Sequence, residues 1–228
     1  MFYHEVTLFG LKSILIMYHK IGPDLNIIIS IIWGGLLGDC HAERRKTANG
    51  KPGNTRICFK QSGRNVQYLY FNWNILSKYK YCSLNKPKIK KTIGKKGKIY
   101  MHVRFNTYTY SKFNWIHDLW YDKNNYKILP SNDKLYQYVN KQSFATWIMD
   151  NGYKTNEGGL ILYTNNFSKD EVERLIIFIK IKFNIASSLR KQKKNKSDYL
   201  IYIYVSEMSK VKNLVSFYFS EDMTHKLK

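Results

Sequence analysis

Two apolar segments of this chain end in an acid and a glycine. Trp33 to Cys40 reads W-G-G-L-L-G-D-C, and Phe144 to Gly152 reads F-A-T-W-I-M-D-N-G. In the first, Gly34 and Gly38 are four apart and share one face of a helix. Glycine there costs about 1 kcal/mol relative to alanine. A helix accepts that cost where a second backbone comes very close, as small-xxx-small spacing allows. Asp39 follows at the helix C-terminus, where the dipole disfavours an anion. A tight helix contact ending in an unfavourably placed carboxylate points to a bound cation. The plain alternative is an ordinary core helix. A membrane span is excluded, because Leu25 to Leu37 is interrupted by Asn26 and Ser30 and falls short of the roughly 18 apolar residues needed.

The chain has 228 residues, enough for one or two domains with a real core. It carries 38 Lys+Arg against 16 Asp+Glu, a formal net charge of +22. That charge repels itself in a compact state unless a polyanion neutralises it, and nucleic acid is the natural partner. An anionic membrane surface would call for a long basic amphipathic helix, which the sequence lacks. Aromatic residues make up 16% of the chain, so this is not a disordered basic tail. The three cysteines, Cys40, Cys58 and Cys82, form no C-x-x-C pair and suit a reducing compartment. The six histidines show no zinc-ligand spacing, and no secretory signal opens the chain.

The elements that must position the two acids repeat. Residues 1 to 24 read as a leader, with the turn signal Gly22-Pro23 near its end. A helix over Leu25 to Leu37 is followed by a polar loop, Ala42 to Asn54, a short strand, Thr55 to Ser62, and a helix, Tyr68 to Tyr79. A basic loop, Lys86 to Lys98, leads into Met101 to Tyr110. There Val103, Phe105, Thr107 and Thr109 alternate with Arg104, Asn106 and Tyr108, a period-two strand. Phe113 to Tyr121 closes this part as a helix. After a turn region at Ser131 to Lys134 the order returns: helix Lys141 to Asp150, then strand Leu160 to Thr164. The next helix is announced by the capping box Ser168/Glu171 and a stripe of Val172, Leu175, Ile176, Ile179 and Phe183. A second basic loop, Arg190 to Lys196, a strand, Tyr199 to Ser206, and a helix, Val211 to Phe219, complete it. Two lysine-rich loops at matched places, beside Tyr- and Thr-bearing strands, favour one shared ligand surface. A curved ribbon with basic tips can enter a DNA major groove.

Together the two acid-ended motifs resemble those of a monomeric LAGLIDADG homing endonuclease. H-K-I-G-P at His19 to Pro23, F-N-T-Y-T-Y at Phe105 to Tyr110 and S-K-D-E-V-E-R-L at Ser168 to Leu175 add to the likeness. The branch it resembles is encoded in mitochondrial group I introns, which implies the mitochondrial matrix. The resemblance implies an α+β fold of two pseudo-symmetric αββαββα halves, residues 25 to 125 and 126 to 228. Two saddle-shaped antiparallel sheets then straddle double-stranded DNA, and the motif helices pack through Gly34, Gly38, Ala145 and Thr146. Each motif helix delivers a carboxylate that binds Mg²⁺, the two-metal logic of phosphodiester cleavage.

Carried over, Asp39 falls on the first motif's acid, and Cys40 stands where the family prefers glycine. In the second motif the acid stands directly before the glycine, and here that position is Asn151, preceded by Asp150. The resemblance therefore implies a weakened second metal ligand, with Asp150 able to serve only if the helix end shifts by one residue. It also places Lys127 and Lys226 near the scissile phosphates, where they would stabilise developing charge. Gln61 is a further candidate for lining the site. Arg104, Asn106 and Tyr108 would read base edges, and Lys95, Lys96, Arg190, Lys193 and Lys194 would hold phosphates. The expected activity is site-specific DNA cleavage that starts intron homing. The alternatives are a maturase that binds group I intron RNA on the same saddle, or a protein bound to organellar rRNA.

Overall fold

The computed structural model describes residues 24–94, 97–192 and 198–228. The expected leader, apart from Asp24, and the His19 to Pro23 stretch lie outside the described residues. So do Lys95, Lys96, Lys193 and Lys194.

The order α-β-β-α-β-β-α occurs twice. The first run is α1 (Asp24–Leu37), β1 (His41–Lys46), β2 (Pro52–Ser62), α2 (Val66–Lys78), β3 (Lys90–Ile93), β4 (Ile99–Asn106) and α3 (Asn114–Trp120). A short helix, α4 (Asn132–Tyr138), leads into the second. That run is α5 (Lys141–Asn151), β5 (Gly152–Lys154), β6 (Leu160–Tyr163), α6 (Lys169–Phe183), β7 (Ser187–Lys191), β8 (Tyr199–Ile203) and α7 (Met208–Val215). Each run forms a four-stranded antiparallel sheet, in the orders β1-β2-β4-β3 and β5-β6-β8-β7. The fold is thus α+β, as expected. No helix among the described residues is long and apolar enough to cross a membrane.

The period-two pattern of β4 is seen directly: Val103 and Phe105 are buried while Arg104 is exposed. The capping box of α6 is formed, with the Ser168 hydroxyl and the Glu171 carboxylate each accepting the other's backbone N–H. Asn184 ends this helix in the left-handed region at φ 55°. Helix α5 carries its own box, Asn140 with Ser143. The Asn140 amide also donates to the Ser30 hydroxyl of α1 at 2.7 Å. This ties the start of one motif helix to the middle of the other.

Helices α1 and α5 pack backbone to backbone at the centre of the core. A Cβ added at Gly34 would strike the Ser143 carbonyl oxygen and come within 2.7 Å of the Thr146 Cβ. One added at Gly38 would lie 2.6 Å from the Asp150 Cβ. Ala145 is fully buried in the same core, with Trp33, Trp120 and Trp147 around it. Trp33 stacks on Tyr138 at 4.8 Å between ring centroids and meets Trp120 edge-on at 5.2 Å.

Several expectations are corrected. Ala42 to Asn54 is not a loop: His41–Lys46 is strand β1, and only the turn around Gly50, at φ 74°, is irregular. Its charge reflects an edge position, where one face meets solvent. The expected basic loop Lys86 to Lys98 contains β3, and the second one begins inside β7. Ser131 to Lys134 opens helix α4 rather than forming only a turn. The last strand ends at Ile203, and Val205–Glu207 is a 3₁₀ turn.

The close approach predicts that Gly34→Ala destabilises the protein by about 2 kcal/mol in urea unfolding, through overpacking. In an uncrowded helix the same change stabilises by about 1 kcal/mol. A rise in stability would show that the helices can move apart.

Candidate active site

The end of α1 places Asp39 by a simple device. Gly38 N donates back to the carbonyls of Gly34 and Gly35 at 3.1 and 3.0 Å, and Cys40 N to Gly35 O at 2.8 Å. The chain turns tightly, Cys40 is buried, and Asp39 projects into the open. Helix α5 runs on through Asn151, with the Gly152 N–H bonded to Ile148 O. Because Gly38 has no side chain, the Asp150 carboxylate fits against it and accepts the Asp39 backbone N–H at 3.4 Å on Oδ2.

Gln61 joins the two acids. Its Nε2 donates to Asp39 Oδ2 at 3.3 Å and to Asp150 Oδ1 at 3.1 Å. Its Oε1 accepts from Asn65 Nδ2 at 3.2 Å, which orients the amide. Gln61 is buried although polar, at an inward position of β2 shared by Thr55, Ile57 and Phe59. A polar residue in an inward-facing stripe is the signal in the sequence that marks it.

Two lysines cap the motif helices. Lys127 Nζ donates to Gly38 O at 3.4 Å and Cys40 O at 3.1 Å, at the end of α1. Lys226 Nζ donates to the carbonyls of Ile148, Met149 and Asp150, at the end of α5. A cation at a helix C-terminus is favoured by the dipole. Here the two cations offset both the helix ends and the acids beyond them. Burial pulls the Lys127 ammonium down to about 8, against the opposing pull of Cys40, Asp150 and Asp39. Burial lowers Lys226 as well.

The acids respond in the opposite sense. Desolvation raises the Asp39 carboxyl, countered by the Gln61 hydrogen bond and the charges of Lys226 and Lys127. Asp150 is pushed up to about 8, chiefly by desolvation and then by the charge of Asp39. Two carboxylates held this close in a partly dry site resist ionising together unless a cation joins them. The set of hard oxygen donors fits a divalent metal ion such as Mg²⁺.

Asn151 points elsewhere than expected. Its Nδ2 donates to Tyr163 O at 3.0 Å, and its Oδ1 is buried without a partner. No shift of the helix end is needed to bring Asp150 to Asp39, because the missing side chain at Gly38 makes the room. An open cavity of about 350 Å³ begins at the two acids and is lined further by Asn151, Tyr163, Asn165 and Asn166.

Arg104 and Asn106 stand on the face of β4 opposite Val103 and Phe105, paired across the sheet with Lys60 and Cys58. Tyr108 lies past the end of β4, half exposed, and its N–H bonds to Tyr81 O. Arg190 stacks its guanidinium over the Tyr202 ring at 3.3 Å. One cluster was not legible in the sequence: His41, Glu43 and Cys58 bring ligand-type atoms within 4.8 Å of one another. Glu43 there is committed to Arg56, at 2.6 and 2.9 Å.

This pair of glycine-packed helices with acids at one end, flanked by two four-stranded sheets, has clear relatives. Residues 29–211 match the family model for the LAGLIDADG DNA endonuclease family, and the chain belongs to that family. It is 40% identical over 216 residues to the cytochrome b mRNA maturase bI2 of Saccharomyces cerevisiae, covering 92% of this chain and 49% of that protein. The chain thus spans about half the length of that relative. It is 28% identical over 200 residues to a probable intron-encoded endonuclease 1 of Wickerhamomyces canadensis, covering 85% of this chain and 80% of that one. Among solved structures, the homing endonuclease I-WcaI bound to its DNA recognition sequence superposes with a TM-score of 0.74 at 26% identity. That match covers 89% of this chain and 86% of the other. I-DmoI in complex with DNA and Mn shares the fold, with a TM-score of 0.53 at 13% identity over 86% of this chain and 98% of that one.

The raised Asp150 carboxyl has a consequence for stability in chelator. The folded chain keeps a proton that the unfolded chain releases from its ordinary range near 3.8. Stability from this group is full below about pH 4 and is lost as pH rises to about 8. Asp150→Asn removes that loss. Its stability relative to wild type is expected to grow by at least about 1 kcal/mol between pH 5 and pH 8. A constant difference in urea unfolding at the two pH values would show that Asp150 ionises freely.

Proposed function

We propose that this chain is a Mg²⁺-dependent, site-specific DNA endonuclease that starts group I intron homing in the mitochondrial matrix and acts as a monomer. The observation that carries the reading is the meeting of Asp39 and Asp150 on one Gln61 amide. The two carboxylates hold the divalent ions, and Gln61 sets their spacing. When bound, Mg²⁺ activates water and steadies the leaving oxygen of the phosphodiester. Lys127 and Lys226, one at the C-terminal end of each motif helix, would offset the charge that develops on the phosphate. Asn151 lines the cavity beside the acids but is held by its amide to the Tyr163 carbonyl, so the second carboxylate is that of Asp150. The exposed Arg104 with Asn106 on β4, and Arg190 on β7, meet DNA edges and phosphates.

The likeness to two cytochrome b mRNA maturases, 40% and 37% identical, favours a second reading: the same basic saddle binds group I intron RNA and assists splicing. Supercoiled plasmid carrying the joined exon sequence, incubated with Mg²⁺, separates the two. Linear product is expected. Nicked circles alone would indicate one working strand site. Intact plasmid with tight, salt-sensitive binding to intron RNA would favour the maturase.

Asp39→Asn and Asp150→Asn are each expected to lower cutting at least about 100-fold while leaving DNA affinity in Ca²⁺ within about threefold. Asn151→Asp is expected to change the rate by less than about threefold, because Asp150 already supplies the second carboxylate. A large gain on Asn151→Asp, with Asp150→Asn still active, would move the second ligand to position 151.

A further inference from the structure

The two sheets turn different chemistry away from the core. In the first, Val103 and Phe105 are buried, so Arg104 and Asn106 face outward with their partners Lys60 and Cys58. Strand alternation adds Arg56 to that face, ion-paired to its neighbour Glu43 at 2.6 Å. In the second, Leu160, Leu162, Ile201 and Ile203 are fully buried against the core. Their alternates are Tyr153, Ile161, Tyr163, Leu200 and Tyr202, joined by Ser188 and Arg190. Among the described residues of this face Arg190 is the one cation, and its guanidinium lies over the Tyr202 ring at 3.3 Å. Leu200 and Tyr202 are buried yet belong to no part of the core cluster. The register sets Tyr153, 52% exposed, beside Ile161, which neighbours Tyr202, and sets Tyr163 beside Leu200.

A sheet studded with arginine and lysine donates hydrogen bonds to guanine edges and phosphates. A face of isoleucine and tyrosine rings offers mainly apolar surface, with hydroxyls at the ring tips and the Arg190 guanidinium at one edge. The apolar group that a duplex displays in its major groove is the thymine C5-methyl. Covering methyl groups removes apolar surface from water on both partners. Resting on the DNA-binding reading above, we propose that the two halves recognise DNA differently. The first sheet binds its half-site through charge-assisted hydrogen bonds. The second sheet reads thymine methyl groups, with Tyr153, Ile161 and Tyr163 as the specificity-determining side chains.

Replacing thymine by deoxyuridine deletes only the methyl group and tests this directly. The probe is a duplex enriched by the full chain from a random pool in Ca²⁺, then substituted with deoxyuridine in one half-site at a time. Affinity is expected to fall about fourfold per contacted thymine in one half-site and to stay level in the other. In Tyr153→Ala and Ile161→Ala proteins that sensitivity shrinks, whereas Arg104→Ala keeps it while weakening binding overall. Equal tolerance of deoxyuridine in both half-sites, with the duplex still tightly bound, overturns the inference and leaves the endonuclease reading standing. Failure to enrich any duplex overturns both. So does a preference for single-stranded intron RNA over every duplex, which would make the tyrosines a base-stacking platform.

Discussion

The close contact of α1 with α5 is the constraint on which the rest of the molecule depends. Gly34 lets the backbone of one helix reach Ser143 and Thr146 of the other, and Gly38 leaves the space that the Asp150 carboxylate fills. The same absence of a side chain therefore packs the core and builds the site. Each helix contributes an end rich in unpaired carbonyls, and each end is met by a lysine ammonium. The acids, the carbonyls and the two lysines form one electrostatic unit. The lysines suit the helix ends, whereas burial raises the acids and lowers the lysines, and the helix dipoles oppose the carboxylates. Strongly perturbed ionisable groups gathered in this way are typical of functional sites.

The sheets extend this centre outward. Their antiparallel registers decide which side chains face the core and which face a partner, and a slip of one residue would exchange the two sets. Arg104 and Val103 differ by one position and by every physical property that matters. The net charge of +22 fits the proposed nucleic-acid partner, which would offset the self-repulsion of so basic a surface. The asymmetry between the two outward faces shows that the halves, alike in backbone order, have separate surface chemistry.

Much of the architecture was legible in the sequence, for identifiable reasons. The Ser168/Glu171 box and its apolar stripe announced α6, and the alternation around Val103 and Phe105 announced β4. The glycines at 34 and 38 announced a close helix contact. Strands β1, β3 and β7 were hidden, because edge strands rich in lysine and arginine look like solvated loops. The second acid was harder still. Motif alignment names a position, Asn151, but not the direction in which a side chain leaves the helix. Only the empty space at Gly38 shows that Asp150 is the residue that reaches Asp39. Gln61 was visible as a polar break in an inward stripe, yet its role needed both carboxylates in place.

The central claim is that Asp39 and Asp150 together hold the reactive cation. Anomalous diffraction from crystals of the DNA complex grown with Mn²⁺ tests it most directly. Manganese peaks are expected in direct coordination with oxygens of both carboxylates, beneath the phosphodiester backbone. Peaks bound by the Asn151 side chain with Asp150 left uncoordinated, or no manganese at the helix ends at all, would contradict it.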